Sequence, residues 1–212
     1  MNKTLTTMAA AAIALAAGQS TQAVTILTAE LTTSQEVTSP NLTASTGGAR
    51  PTPFGTATFT INDAQTQMSF TATIFNIDID GSQTPNDAND NLVNAHIHVG
   101  APAGANGPVR WGFHGMPDND TNPKNMVVTK FASGVGGTFS SIWDQPEGNA
   151  MTTFTDNLPG ILAGLSYINF HTVQNPGGEI RGQIVPDQGS TALLLGSSLA
   201  MIGLARRRVG KV

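Results

Sequence analysis

An all-β fold, an antiparallel Greek-key sandwich or barrel, is predicted for this chain by three observations. Runs of period two, rich in Thr, Val, Ile and Phe, recur between residues 24 and 185; Gly, Pro, Asn and Asp separate them; and helix signals are almost absent. Many short strands with turn-rich connections belong to that class.

The strand runs, in order, are "TILTAELTTSQEV" at 25–37, "GTATFTI" at 55–61, "MSFTATIFNI" at 68–77, "VNAHIHVG" at 93–100, "MVVTKF" at 126–131, "GGTFSSIW" at 136–143, "SYINFHTV" at 166–173 and "EIRGQIV" at 179–185. About eight strands follow from this pattern. A short helix is expected at Leu158 to Leu165, weakened by the two glycines in "LPGILAGL". The stretches 76–91 and 114–125 are acidic and rich in Asn, Pro and Gly, and read as long loops.

The two ends do not read as fold. Residues 1–23 combine Lys3, an apolar run from Met8 to Ala17, and Thr21 and Ala23 at a small-residue cleavage site, which reads as an N-terminal signal helix. The apolar run is too short for the roughly 30 Å hydrocarbon core of a membrane. Residues 186–212 hold an uncharged stretch, Gln188 to Ala205, before Arg206, Arg207 and Arg208. A helix there can just span a bilayer, with the arginines on the cytoplasmic side. This leaves 24–185 as the folded domain.

Composition excludes several functions. The chain has no cysteine, so thiol chemistry, disulfides and thiolate metal sites are absent. Between 24 and 185 five bases stand against thirteen acids, a formal charge of −8, which repels phosphate backbones and argues against nucleic acid as a partner. There is no GxSxG elbow, phosphate-binding glycine loop or HExxH, and the carboxylates lie in loops, so the chain is not read as an enzyme.

Three of the four histidines fall in two strand runs. Alternation puts Val93, Ala95, Ile97 and Val99 on a core face and His96 and His98 on the other; in the later run Ile168 and Phe170 face the core while Tyr167, Asn169 and His171 share the polar face. The histidines thus point away from the interior. Residues i and i+2 on a strand lie roughly 6.6 Å apart, close enough for two imidazoles and a third from a neighbouring strand to converge on one Cu or Zn ion. The competing reading makes them polar side chains bonded to loop backbone, with no acidic fourth ligand in evidence. His114 lies in a loop-like context and receives no role. Asp118, Asp120 and Asn122 match the start of an EF-hand loop, but Pro123 and Thr129 replace its required glycine and glutamate, which leaves only a looser Ca2+ site against solvated loop acids.

"HIHVGAPAGANGPV" followed by "LSYINFHTVQNPGGEIRGQI" resembles the paired motifs of the CHRD domain, the module repeated in chordin and found alone in bacterial exported proteins. "AELTTSQEV" and "GTATFTI" are similar to its opening strands, so the resemblance covers nearly all of 24–185. It carries over His96, His98, Gly100, Gly104, Asn106, Gly107 and Pro108, then Asn169, His171, Asn175, Pro176, Gly177, Gly178, Glu179, Arg181 and Gly182. Glu179 and Arg181 are placed to pair on one face of the outgoing strand, Pro176 to Gly178 to supply a turn, and the reading of these residues is a hairpin with a surface ion pair. The acidic insert at 80–91 and "RWGFHG" read as local elaborations. The resemblance implies binding or scaffolding outside the cell, with an extracellular matrix or surface polymer as partner.

The tail is similar to PEP-CTERM sorting signals in a VPD-type variant, with Val185, Pro186, Asp187, Gly189, Ser190 and Thr191 before the apolar stretch and arginines. That resemblance implies cutting near Pro186 by an exosortase-like protease and a place at the cell envelope, with the C-terminal helix in the membrane before processing. A second resemblance is to copper/zinc superoxide dismutases, which hold copper on a Greek-key barrel through an HxH strand and a later histidine. Here His96, His98 and His171 map onto that arrangement, while the bridging histidine, zinc-ligand series and disulfide are missing. The fold expectation is accordingly immunoglobulin-like or superoxide-dismutase-like.

Overall fold

Alternation along β1 (Thr25–Thr32) buries Leu27, Ala29 and Leu31, and the same period of two buries Ala57, Phe59 and Ile61 in β2 (Phe54–Ile61) and Met68, Phe70, Ala72 and Ile74 in β3 (Gln67–Phe75). A computed structural model describes residues 24–187. The expected signal segment at 1–23 and the apolar stretch with Arg206–Arg208 lie outside the described residues. No helix among the described residues is long and apolar enough to cross a membrane.

Six further strands follow: β4 (Leu92–Val99), β5 (Val109–His114), β6 (Val127–Lys130), β7 (Gly136–Asp144), β8 (Ser166–Thr172) and β9 (Ile180–Pro186). All nine join one antiparallel sheet in the order β5-β4-β8-β9-β1-β2-β3-β7-β6. The ladder therefore runs unbroken through both halves of the fold. Trp111 of β5 stacks on Trp143 of β7, centroids 5.6 Å apart and planes 4° from parallel, so the sheet curls until its opposite ends share one core. Glu147 fastens this closure. It accepts from Trp111 Nε1 at 3.2 Å through its carboxylate, and from Trp143 Nε1 at 2.8 Å through its backbone carbonyl. Phe70, Phe113, Phe139 and Phe170 fill the space between in edge and tilted contacts.

The structure adds one strand to the eight expected. β5 contains "RWGFH", so all of that run but Gly115 is part of the sheet and not a local elaboration. The helix also differs. It spans Phe154–Leu162, starting at a capping box in which Thr153 and Asp156 satisfy each other's backbone donors, while Gly164 and Leu165 lie beyond its end. The acidic insert folds onto itself: the buried Asp78 carboxylate accepts from the backbone N–H of Asp80, Gly81 and Thr84.

Candidate functional site

Pairing register sets up the site. β4 opposes β8 with His96 against Asn169 and His98 against Tyr167, and β8 opposes β9 with Asn169 against Arg181 and Tyr167 against Gln183. These residues share the face turned away from the core. The sequence places them correctly on that face, but their exposure is a correction: His96, His98 and His171 are only 5%, 9% and 7% exposed. Three loops cover them.

The covering is specific. Met116 O sits 2.8 Å from His96 Nε2, Gly107 O 2.8 Å from His98 Nδ1, and Pro176 O 2.9 Å from His171 Nδ1. Each loop reaches its ring for a sequence reason. Gly112 has no side chain, which lets the Pro117 carbonyl rest on β5 where a Cβ would stand. Asn119 then accepts from and donates to the Gly112 backbone, and Met116 N donates to Asn94 Oδ1 at 2.7 Å. Gly107 is tied to the Tyr167 hydroxyl through its N–H. Tyr167 stacks flat on His98, centroids 4.4 Å apart, and the Arg181 guanidinium lies 3.4 Å above the other side of the tyrosine ring.

His96 Nδ1 and His171 Nε2 are 3.2 Å apart, and one nitrogen from each of the three rings falls within 4.8 Å of the others. Burial pushes His98 and His171 down to about 4 and lowers His96 as well, with the loop carbonyls opposing the shift. Among the described residues, these three histidines are the group of His, Asp and Glu side chains with a common ion-sized centre. His114 lies elsewhere, edge-on to Phe139. The loop acids take other partners: Asp118 pairs with Lys124 at 2.5 Å, and Asp120 accepts from Ser141 Oγ and Asn125 N.

The remaining motif residues divide between the two loops. Asn106 Oδ1 and Ala105 O accept from Arg181, whose side chain is buried, and Val99 N donates to Pro108 O. Gly100 turns the chain out of β4 at φ 101°. The Glu179–Arg181 pair expected on the surface does not form. Glu179 meets Arg50 instead, at 2.9 Å with both side chains buried, and also accepts from Asn175 and Thr172. Position 179 precedes the first residue of β9, so it belongs to the turn and faces the loop carrying Arg50.

Beside the histidines an open cleft of about 310 Å3 lies between residues 36–40 and 174–178. Asn106, Asn175, Pro176, Gly177 and Gly178 line it together with Glu36. Glu36 Oε1 accepts from Asn169 Nδ2 at 2.5 Å, and burial raises its carboxyl to about 7 against the pull of that bond and of Arg181. Arg50, Glu36, Glu147 and the Met116 carbonyl are the participants that strand reading misses. Arg50 carries one signal, as one of only five bases between 24 and 185.

A family model for the CHRD domain matches residues 27–184. The chain belongs to the CHRD-domain family. A VPDSG-CTERM motif matches residues 185–209, directly after the CHRD domain, and Gln188 stands where the motif's name has serine. It is a variant of the PEP-CTERM-like sorting signal and marks the CHRD protein as exported and surface-associated. No curated protein and no solved structure matches the chain.

Proposed function

We propose that this exported CHRD protein is a non-catalytic binding module that holds an extracellular or surface polymer in the cleft between residues 36–40 and 174–178. One observation supports it above the others. Motif residues from the two halves of the domain, Asn106 on one side and Asn175 to Gly178 on the other, line the same cleft. The lining offers amide, hydroxyl and carboxyl groups, a donor and acceptor mixture suited to hydroxyl-rich chains. The sorting signal begins at Val185 and shares only the last two residues of β9, so an exosortase-like protease acting near Pro186 removes the tail and leaves the sheet intact.

A test is co-sedimentation of the protein with exopolysaccharide and with cell-wall sacculi from the producing bacterium, beside Thr38→Trp and Ser39→Trp. Both side chains are exposed on the cleft wall, and the indole fills it. Wild type should pellet with one polymer and each variant should lose at least about tenfold in affinity, roughly 1.4 kcal/mol. Equal binding by the variants, or no binding by wild type, contradicts the proposal.

The redox reading, a superoxide-dismutase-like activity at His96, His98 and His171, draws on their convergence alone. It is the weaker reading, since the loops at Gly107, Met116 and Pro176 close over the rings and leave them nearly without solvent contact.

A further inference from the structure

Hydrogen-bond counting around the three histidines leaves a deficit. A carbonyl oxygen only accepts, so the contacts to Met116, Gly107 and Pro176 require protons on His96 Nε2, His98 Nδ1 and His171 Nδ1. A neutral imidazole has one N–H. In the neutral form in which imidazole binds a metal, the three rings spend all their protons on the loops, and His96 Nδ1, His98 Nε2 and His171 Nε2 remain as lone pairs. Two of these lone pairs face each other across 3.2 Å. The third is buried without a hydrogen-bond partner. Exchanging tautomers does not help: the His96–His171 contact and the two carbonyl contacts need three protons, and two neutral rings supply two.

A cation at the meeting point removes the deficit. We infer that His96 Nδ1, His98 Nε2 and His171 Nε2 form a three-imidazole site for a zinc or copper ion, oriented by the carbonyls of Met116, Gly107 and Pro176. Metal-binding histidines commonly donate their second ring N–H to a carbonyl or carboxylate, which fixes the tautomer and aims the lone pair. All three rings here have that arrangement. Zinc–nitrogen bonds of about 2.0–2.1 Å put two nitrogens roughly 3.4 Å apart in tetrahedral geometry, which the His96–His171 separation already approaches. The three nitrogens lie within 4.8 Å of one another, so the His98 nitrogen has to close in by up to about 1.4 Å to complete the same geometry. Imidazole donors with no thiolate select zinc or copper over calcium or magnesium, and copper(II) over zinc where both compete. The site is independent of what occupies the cleft.

The experiment uses the full chain, produced without a histidine tag and freed of metal with a chelator. Long-range 1H–15N spectra should show His96 protonated at Nε2 and His98 and His171 at Nδ1. One equivalent of Zn2+ should shift the other three ring nitrogens, saturate at a ratio of about one, and survive dialysis. His96→Gln, His98→Gln and His171→Gln should each lose at least about tenfold in zinc affinity, with circular dichroism reporting whether each variant folds. Because the wild-type spectra carry the test, a variant that does not fold leaves the outcome decided. Three ring nitrogens unmoved by zinc, or zinc lost on dialysis of wild type, overturns the inference.

Discussion

Arg50 Nη2 and Glu179 Oε2 lie 2.9 Å apart with their side chains 2% and 0% exposed, although 129 residues separate them in the chain. The pair ties the loop after β1 to the turn before β9, and Asn175 and Thr172 complete the shell around the carboxylate. Arg50 Nε and Nη1 and Glu179 Oε1 are buried without partners, so the pair has not recovered all the hydration it lost. Arg50→Met strands a buried carboxylate and should cost about 3–5 kcal/mol in urea unfolding, while Arg50→Met with Glu179→Leu should recover most of that loss. A single-variant cost below about 1 kcal/mol shows that the pair does not hold the loop.

Glu36 predicts a dependence on pH. Its carboxyl sits near 7 in the fold against 4.5 when unfolded, so the folded state binds more protons between those values. The contribution to stability is full below about 4.5 and declines as pH rises through about 7. Partial solvent access reduces the full linkage value, and about 1–2 kcal/mol is expected. Unfolding midpoints at pH 4.5 and 8 should therefore change less in Glu36→Gln than in wild type. Parallel curves for the two proteins exclude this role for Glu36.

Gly112 sets how closely the loop at 116–119 approaches β5. A Cβ there collides with the Pro117 carbonyl, a backbone atom that cannot turn aside. Gly112→Ala should cost about 1–3 kcal/mol and pull the Met116 carbonyl from His96. Thermal unfolding gives the first effect, and loss of the His96 Nε2 proton resonance gives the second.

Much of this fold is legible in residue order because both the strands and the polar face follow a period of two. Leu27 and Phe59 mark core positions by alternation, and so do His96, His98 and His171 on the opposite face. What alternation cannot report is what lies over that face. The carbonyls of Met116, Gly107 and Pro176 carry no side-chain signature, and they decide that the histidines are buried and which ring nitrogens are protonated. β5 escapes the pattern because Gly112 interrupts its alternation and the strand is short, ending at His114 just before Gly115. The Arg50–Glu179 pair escapes because Arg181, two residues from Glu179, offers a local partner that the turn geometry denies.

Export and sorting make a separate prediction. The mature chain should begin near Val24 and end near Pro186, at the last residue of β9. Intact-mass spectrometry of protein recovered from the cell surface measures both ends. Mature protein that still carries Arg206–Arg208 indicates that the tail remains as an anchor.

The central claim, that the pinned histidines are metal ligands, is tested most directly by a crystal structure grown with Zn2+ and phased at the zinc absorption edge. The account predicts one strong anomalous peak about 2.0–2.1 Å from His96 Nδ1, His98 Nε2 and His171 Nε2, with the three carbonyl contacts retained. No peak there, with His96 and His171 still facing each other at 3.2 Å, contradicts it.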